Sequence, residues 1–167
     1  MPGEIRCFGC GALVADLVGP THRYMLSAPG CWQLYGHLLG AEYPRTQLSV
    51  DGYAVQHPGQ PGPQASQSVC VHLMNLCRVL ERGGGLAGSV GFLQGLTHRD
   101  YPWLTPPPAR YEFTVVDLLQ AADQDAFASI ESGFAAAAWS AWSAHHVTVR
   151  GWLDEPESLP PQRKLRQ

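Results

Sequence analysis

The chain has 167 residues, of which 45% are hydrophobic and 15% charged, and its net charge is −3 at pH 7. This length suits one domain with its own hydrophobic core. The charge balance predicts no nucleic-acid partner, and no apolar run approaches the roughly 18 residues that a membrane span requires. The low share of charged residues favours a homodimer, because extensive apolar surface is usually covered by a partner.

Residues 1–30 are rich in Gly and Pro and predict a loop-rich segment. They lack the basic and then apolar pattern of a secretory signal, which favours a cytoplasmic protein. Cys7 and Cys10 lie in a CFGCG turn, where Gly9 and Gly11 allow backbone amides to point at the two sulfurs, as in a zinc knuckle. Five cysteines in a reducing compartment favour thiols or metal ligands over disulfides.

Apolar periodicity and capping residues predict a mostly α fold, a bundle of about five helices. The predicted helices span Cys31 to Glu42, Ser49 to Gln56, Gln64 to Arg82, Thr114 to Ala122, and Asp123 to about Leu153. The predicted N-caps are Ser49, Asp123 and Thr114, and Asp117 at N3 predicts a capping box with Thr114. The glycine-rich residues 83–91 predict a mobile loop, and a Pro-rich connector follows. Together these segments predict a single domain over residues 1–154 and a disordered tail over 155–167.

The two N-terminal cysteines supply only half of a metal site. A structural zinc needs four ligands, and the chain has no second CxxC or HxxxH motif, so the other ligands must be isolated residues. Cys31 is favoured because it stands at the start of a helix, which stabilises a thiolate. His57 or His72 would be the fourth ligand. Zinc is the expected metal, with iron second, and the alternative is a pair of free or redox-active thiols. Cys70 and Cys77 are predicted to be core thiols.

A second group of polar side chains gathers around the stretch from Ser49 to Leu80. Three histidines come from different elements that should pack around one centre, where a carboxylate could fix a tautomer or serve as a ligand. Such a set suits zinc or iron with an open coordination position. The predicted catalytic residues are Asp51, His57, Gln67, His72 and His145. The alternative is that each histidine is a separately hydrogen-bonded structural residue.

Five motifs follow one another over most of the chain. They are CxxCG (Cys7 to Gly11), PGCW (Pro29 to Trp32), VDxYxxQHPG (Val50 to Gly59), QSVxxHLxxL (Gln67 to Leu76) and WxxWxxHH (Trp139 to His146). In these motifs the chain resembles an uncharacterised bacterial family, a domain of unknown function. The resemblance implies that the family shares the Cys, His, Asp and Gln positions named above. It implies no activity.

Two functional hypotheses follow from these residues. In the first, the protein is a metal-dependent or acid–base enzyme, of hydrolase or lyase/cyclase type, acting on a small-molecule ligand in a His/Asp/Gln pocket. In the second, it is a non-catalytic interaction module stabilised by a structural zinc. An open metal position, or a cavity lined by Asp51, His72 and His145, would support the enzyme. A closed four-ligand site, with both of these histidines tied to the backbone, would support the module.

Overall fold

The computed structural model describes residues 2–40 and 45–164. Within these residues the chain forms seven α-helices and one two-stranded sheet, so the fold is mostly helical, as predicted, with more helices than the predicted five. The elements are β1 (Glu4–Arg6), β2 (Leu13–Ala15), α1 (Pro29–Gly40), α2 (Gln47–Gln56), α3 (Pro63–Leu80), α4 (Ser89–Gln94), α5 (Val115–Leu119), α6 (Gln124–Ala141) and α7 (His146–Asp154). In this described part of the chain, every helix is too short or too polar to cross a bilayer.

The N-terminal segment contains a β-hairpin that the loop-rich prediction did not foresee. β1 and β2 pair antiparallel, and the CFGCG turn joins them. The Cys7 amide donates to the Ala12 carbonyl at 2.8 Å, and the Gly11 amide donates to the Cys7 carbonyl at 3.0 Å. Gly11 has a φ of +77°, and a Cβ there would overlap the carbonyl oxygen of Ala109. The turn therefore requires glycine at this position.

Helix α2 lies at the centre of the fold, packed against both α3 and α6. Gly52 allows the approach to α6, because a Cβ there would overlap the ring of Phe134. One core cluster lies around α3, the end of α6 and α7, and includes Val55 of α2. A second cluster lies around the hairpin, α1, α5 and the start of α6, and includes Tyr53 of α2. Helix α2 thus joins the two halves of the core.

The start of α2 differs from the prediction. Thr46, rather than Ser49, is the N-cap, and its hydroxyl accepts from the Leu48 amide at 3.1 Å. Ser49 lies inside the helix, where its hydroxyl donates to the buried carboxylate of Glu131 on α6. The same carboxylate accepts from the Thr46 amide at 3.0 Å and from the Thr46 hydroxyl at 2.8 Å. Glu131 therefore fixes the first turn of α2 against α6.

The predicted mobile loop at residues 83–91 is instead partly helical. Leu86–Gly88 form a 3₁₀ turn, and α4 begins at the next residue. Arg78 organises this segment by donating to the Gly85 carbonyl at 3.0 Å and to the Ser89 hydroxyl at 2.9 Å. The glycine count alone could not predict this order, because it comes from a side chain of α3.

The long C-terminal helix that was predicted to run from Asp123 to about Leu153 is broken at Trp142. Asp123 caps α6 as predicted, but a 3₁₀ turn at Ser143–His145 separates α6 from α7. The Trp142 side chain is fully buried, and its indole N–H donates to the Val55 carbonyl at 3.1 Å. This anchor to the end of α2 coincides with the break, and it cannot be read from apolar periodicity.

The remaining boundary predictions have mixed outcomes. The capping box of Thr114 and Asp117 at the start of α5 is confirmed. The predicted end of the first helix, at Glu42, lies outside the described residues. Residues 155–164, for which the composition predicts disorder, follow a defined path, with a 3₁₀ turn at Pro156–Ser158 and an Arg163 amide that donates to the His98 carbonyl at 2.6 Å. Residues 165–167 lie outside the description.

Candidate metal centre

Four side chains from three parts of the chain meet where the hairpin, α1 and the end of α2 come together. Cys7 and Cys10 belong to the CFGCG turn, Cys31 lies in the first turn of α1, and His57 directly follows α2. Their three sulfurs and one ring nitrogen all lie within 4.8 Å of one another, and all four residues are buried. In residues 2–40 and 45–164, this is the one group of three or more His, Cys, Asp or Glu side chains close enough to share a metal ion.

Two of the distances inside the cluster match the edges of a tetrahedron around a zinc ion. Zn–S bonds of about 2.3 Å and Zn–N bonds of about 2.0 Å imply roughly 3.8 Å between two sulfurs and roughly 3.5 Å between a sulfur and a nitrogen. Cys10 Sγ lies 3.9 Å from Cys31 Sγ, and Cys31 Sγ lies 3.4 Å from His57 Nε2. The cysteines are free thiols, and the sulfur separation is far longer than a disulfide bond.

Electrostatics inside the cluster favour a bound cation. Hydrogen bonds from Cys10 and Cys31 lower the pKa of the Cys7 thiol, whose sulfur also accepts from the Ala28 amide at 3.4 Å. Contacts with Cys31 and Cys7, together with burial, raise the pKa of the Cys10 thiol. The two shifts run in opposite directions because the buried thiols share hydrogen bonds and their negative charges would repel one another. A divalent metal ion would remove this opposition by stabilising all three thiolates.

Tyr53 and the backbone orient His57 toward the sulfurs. His57 Nδ1 donates to the Tyr53 carbonyl at 2.6 Å, which leaves Nε2 as the ligand atom. The ring of Tyr53 stacks on the His57 ring and on Tyr35, with 3.9 Å between centroids in each pair. The Tyr53 hydroxyl lies 3.5 Å from Cys31 Sγ. Burial raises the pKa of Tyr53, so this hydroxyl keeps its proton and can donate to a thiolate.

The close approach of the turn to His57 depends on a residue without a side chain. A Cβ at Gly9 would overlap the Leu26 carbonyl oxygen and would lie 2.5 Å from His57 Cδ2. A larger residue would push the turn away and separate the two cysteines from the imidazole. The glycine at this position of the CFGCG motif is therefore part of the ligand geometry.

The three histidines that were predicted to share one centre lie in three separate environments. His57 belongs to the cysteine cluster. His72 Nδ1, on α3, lies 2.7 Å from Asp51 Oδ1, whereas His145 Nε2 donates to the Thr105 carbonyl at 2.8 Å. The prediction of a common histidine centre with an open metal position is therefore wrong, and His72 is not the fourth ligand of the cluster. The break at Trp142 explains part of the error, because His145 was predicted to lie on one unbroken helix from Asp123 to about Leu153.

Three of the predicted catalytic residues lie outside the cluster of Cys7, Cys10, Cys31 and His57, and His72 is in contact with Asp51 and shares a cavity with Gln67. Asp51 is fully buried, and His72 lines a cavity of about 430 Å³ together with Gln67. The Gln67 side-chain oxygen accepts from the His98 amide at 2.7 Å. Gln47, which donates to Asp51 at 3.1 Å, was missed, because the predicted helix began two residues after it. Its i−4 spacing from Asp51 is the signal that an earlier helix start would have given.

Comparison with known proteins gives a family and no activity. A family model described as a family of unknown function (DUF5946) matches residues 5–143, a range that includes all four residues of the cluster. Neither the curated proteins nor the solved structures that were compared contain a match.

Proposed function

Because this chain belongs to the DUF5946 family, whose function is unknown, we propose a function from its own geometry: it is a zinc-binding protein in which one Zn²⁺ stabilises the fold. The ligands are Cys7, Cys10, Cys31 and His57. The observation that carries this proposal is the convergence of their four ligand atoms within 4.8 Å. Tetrahedral Cys₃His sets of this kind are typical of structural zinc sites.

A structural role is favoured over a catalytic one because the site is closed. A catalytic zinc keeps one coordination position for water or substrate. Here protein side chains supply all four positions, and each of the four residues is at most 2% exposed. The ion would join the hairpin to α1 and to the end of α2, three segments that are far apart in the chain. Of the two hypotheses drawn from the sequence, the proposal is therefore the metal-stabilised fold and not the metal-dependent enzyme.

Zinc is favoured over iron by the donor set. Three thiolates and an imidazole in tetrahedral arrangement match zinc, whereas iron–sulfur clusters generally use four thiolates and need space for inorganic sulfide. The 3.9 Å between Cys10 Sγ and Cys31 Sγ fits one ion and no cluster.

Elemental analysis of the full chain, purified without added metal, tests the proposal. We expect about one zinc per chain, and near zero in Cys31→Ser and in His57→Ala. Cys70→Ser is the matched control, because Cys70 is an equally buried thiol outside the cluster and its loss should leave the zinc in place. Replacement by Co²⁺ should give the absorption bands of a tetrahedral thiolate site. Iron in place of zinc, or no metal even after titration with Zn²⁺, would overturn the proposal.

A second candidate function is a protein-interaction module, and the exposed side chains near the metal ligands favour it. Phe8 lies between the two cysteines of the turn and is 54% exposed, and Leu13 on β2 is 50% exposed. A zinc-fixed turn would hold Phe8 in a rigid position on the surface. We take the partner to be a second copy of this chain, the homodimer that the composition favours. Sedimentation should show a wild-type dimer and a monomeric Phe8→Ser variant with unchanged zinc content; a monomeric wild type would remove this candidate.

A further inference from the structure

A histidine–carboxylate pair on α2 and α3 lies outside the metal centre and is not needed for it. Asp51 is fully buried and accepts three side-chain hydrogen bonds. Its Oδ1 accepts from His72 Nδ1 at 2.7 Å and from Gln47 Nε2 at 3.1 Å, and its Oδ2 accepts from Asn75 Nδ2 at 2.6 Å. A buried carboxylate is costly to desolvate. Here every donor comes from a neighbouring side chain, so the group is held in one orientation.

The histidine of this pair faces a cavity. The His72 side chain is 18% exposed and lines the space of about 430 Å³ between α3 and α4. Asp51 binds Nδ1, so Nε2 is the ring nitrogen left for a ligand. Among the described residues, none makes a hydrogen bond to His72 Nε2. A buried carboxylate behind a half-buried imidazole fixes the direction in which Nε2 can bind.

The opposite wall of the cavity is tied to the same network. Asn75, which donates to Asp51, accepts at its own side-chain oxygen from Arg78 Nε at 3.0 Å. Arg78 in turn donates to the Ser89 hydroxyl at 2.9 Å, at the first residue of α4. Val90, Leu93 and Gln94 of α4 form that wall. The cavity is therefore framed by connected side chains, which is typical of preformed ligand sites.

The lining indicates the chemistry of the ligand. Four glutamines and the hydroxyls of Ser68, Thr97 and Tyr24 line the space. Amides and hydroxyls can each donate and accept, so together they complement hydroxyl groups. The lining contains no Asp or Glu, and its one permanently charged residue, Arg23, is exposed at the rim. The site therefore lacks the clustered cations that an anion would need and the carboxylates that a cation would need.

We propose that this cavity binds a neutral, polyhydroxylated small molecule of monosaccharide size, with one hydroxyl hydrogen-bonded to His72 Nε2. A hydroxyl suits Nε2 in either protonation state, because it donates to the neutral ring and accepts from the charged one. Asp51 is the positioning residue that aims the ring. The inference does not rest on the zinc proposal, since no ligand of the cysteine cluster lines the cavity.

Long-range ¹H–¹⁵N NMR of the histidine rings in the full-length, zinc-loaded chain tests this proposal. The probes are D-ribose, D-glucose and myo-inositol, each titrated to millimolar concentration. At least one probe should shift the His72 Nε2 resonance in a saturable manner. His72→Gln removes this resonance, so its binding is measured from the NMR signals of the probe itself, and it should weaken about tenfold, the effect of losing one good hydrogen bond. His145→Gln is the matched control and should bind as the wild type does, because His145 lies outside the cavity lining.

Two further variants separate positioning from folding. Asp51→Asn should change the tautomer pattern of the His72 ring nitrogens and weaken binding at unchanged zinc content. Ser68→Trp places an indole in the cavity one helical turn before His72 and should abolish binding while the melting temperature holds, which keeps the test intact if Asp51→Asn fails to fold. The proposal is overturned if none of the three probes shifts His72, or if the shift survives Ser68→Trp. Zinc content, measured in every sample, distinguishes this result from failure of the metal proposal.

Discussion

If the proposed zinc is bound, its removal should unfold one half of the core before the other. All four ligands lie at or beside the cluster formed by the hairpin, α1, α5 and the start of α6, and no ligand lies in the cluster of α3 and α7. Structural zinc sites contribute on the order of 10–16 kcal/mol in small peptides, as much as the roughly 5–15 kcal/mol that stabilises a whole domain. The first cluster should therefore lose most of its stability without zinc, whereas the second keeps its apolar packing.

Hydrogen exchange read by mass spectrometry measures this difference. With a chelator, amides of β1, β2 and α1 should lose about three orders of magnitude in protection, which corresponds to roughly 4 kcal/mol. Amides in the middle of α3 should change by less than about tenfold. Cys31→Ser without chelator should reproduce the pattern, and Cys70→Ser should not. Protection that survives complete zinc removal would refute the assignment of a fold-stabilising metal. Equal loss in both clusters would refute the prediction that the metal stabilises mainly the first cluster.

Three further predictions concern the packing that positions the sites. Glu131→Gln should cost about 2–3 kcal/mol in urea unfolding, because three donors at the start of α2 lose their buried carboxylate. Gly52→Ala should cost about 1–3 kcal/mol by overpacking against α6, whereas Gly36→Ala, with open space on α1, should gain about 0.5–1 kcal/mol; equal thermal shifts would contradict this contrast. A hydrogen bond from Arg150 lowers the pKa of Glu81 to about 2, so Glu81→Gln should cost about 1 kcal/mol above roughly pH 4.3, after allowance for solvent screening. That cost should fall away as the pH drops from there to about 2, since the folded carboxylate is then protonated; a cost that stays constant over this range would argue against the ion pair.

The four candidate metal ligands could be predicted because each carries a local signal. The CFGCG turn is visible in the sequence, with glycines where the backbone must come close to other groups. Cys31 follows Pro29 and Gly30, which mark a helix start, and His57 precedes Pro58, which ends a helix. Thiolates and imidazoles are few in this chain, so isolated candidates for the remaining ligands could be named without knowing the fold. These candidates could be named although they are far from the CFGCG turn in the sequence.

The histidine arrangement could not be predicted, because it depends on how helices are oriented in space. His145 was predicted to lie on one long helix from Asp123 to about Leu153, but that helix is broken at Trp142, whose indole is bound to the Val55 carbonyl, and His145 donates to the Thr105 carbonyl. Similarly, the order of α4 comes from Arg78, a side chain that the local glycine content does not reveal. The break at Trp142 and the order of α4 both depend on tertiary contacts, which the pattern of a single sequence does not contain.

Helix α2 contributes residues both to the cavity at His72 and to the cysteine cluster, and this double role explains its weak sequence pattern. Asp51 and Tyr53 are two residues apart, about 200° around the helix axis, so they face opposite sides. The Asp51 side holds His72 at the cavity, and the Tyr53 side stacks on His57 and reaches Cys31. A helix that presents polar groups to two buried environments cannot show a single apolar stripe. The sequence of α2 therefore gives only a weak helical signal. Both the proposed zinc site and the proposed ligand cavity nevertheless depend on the position of this helix.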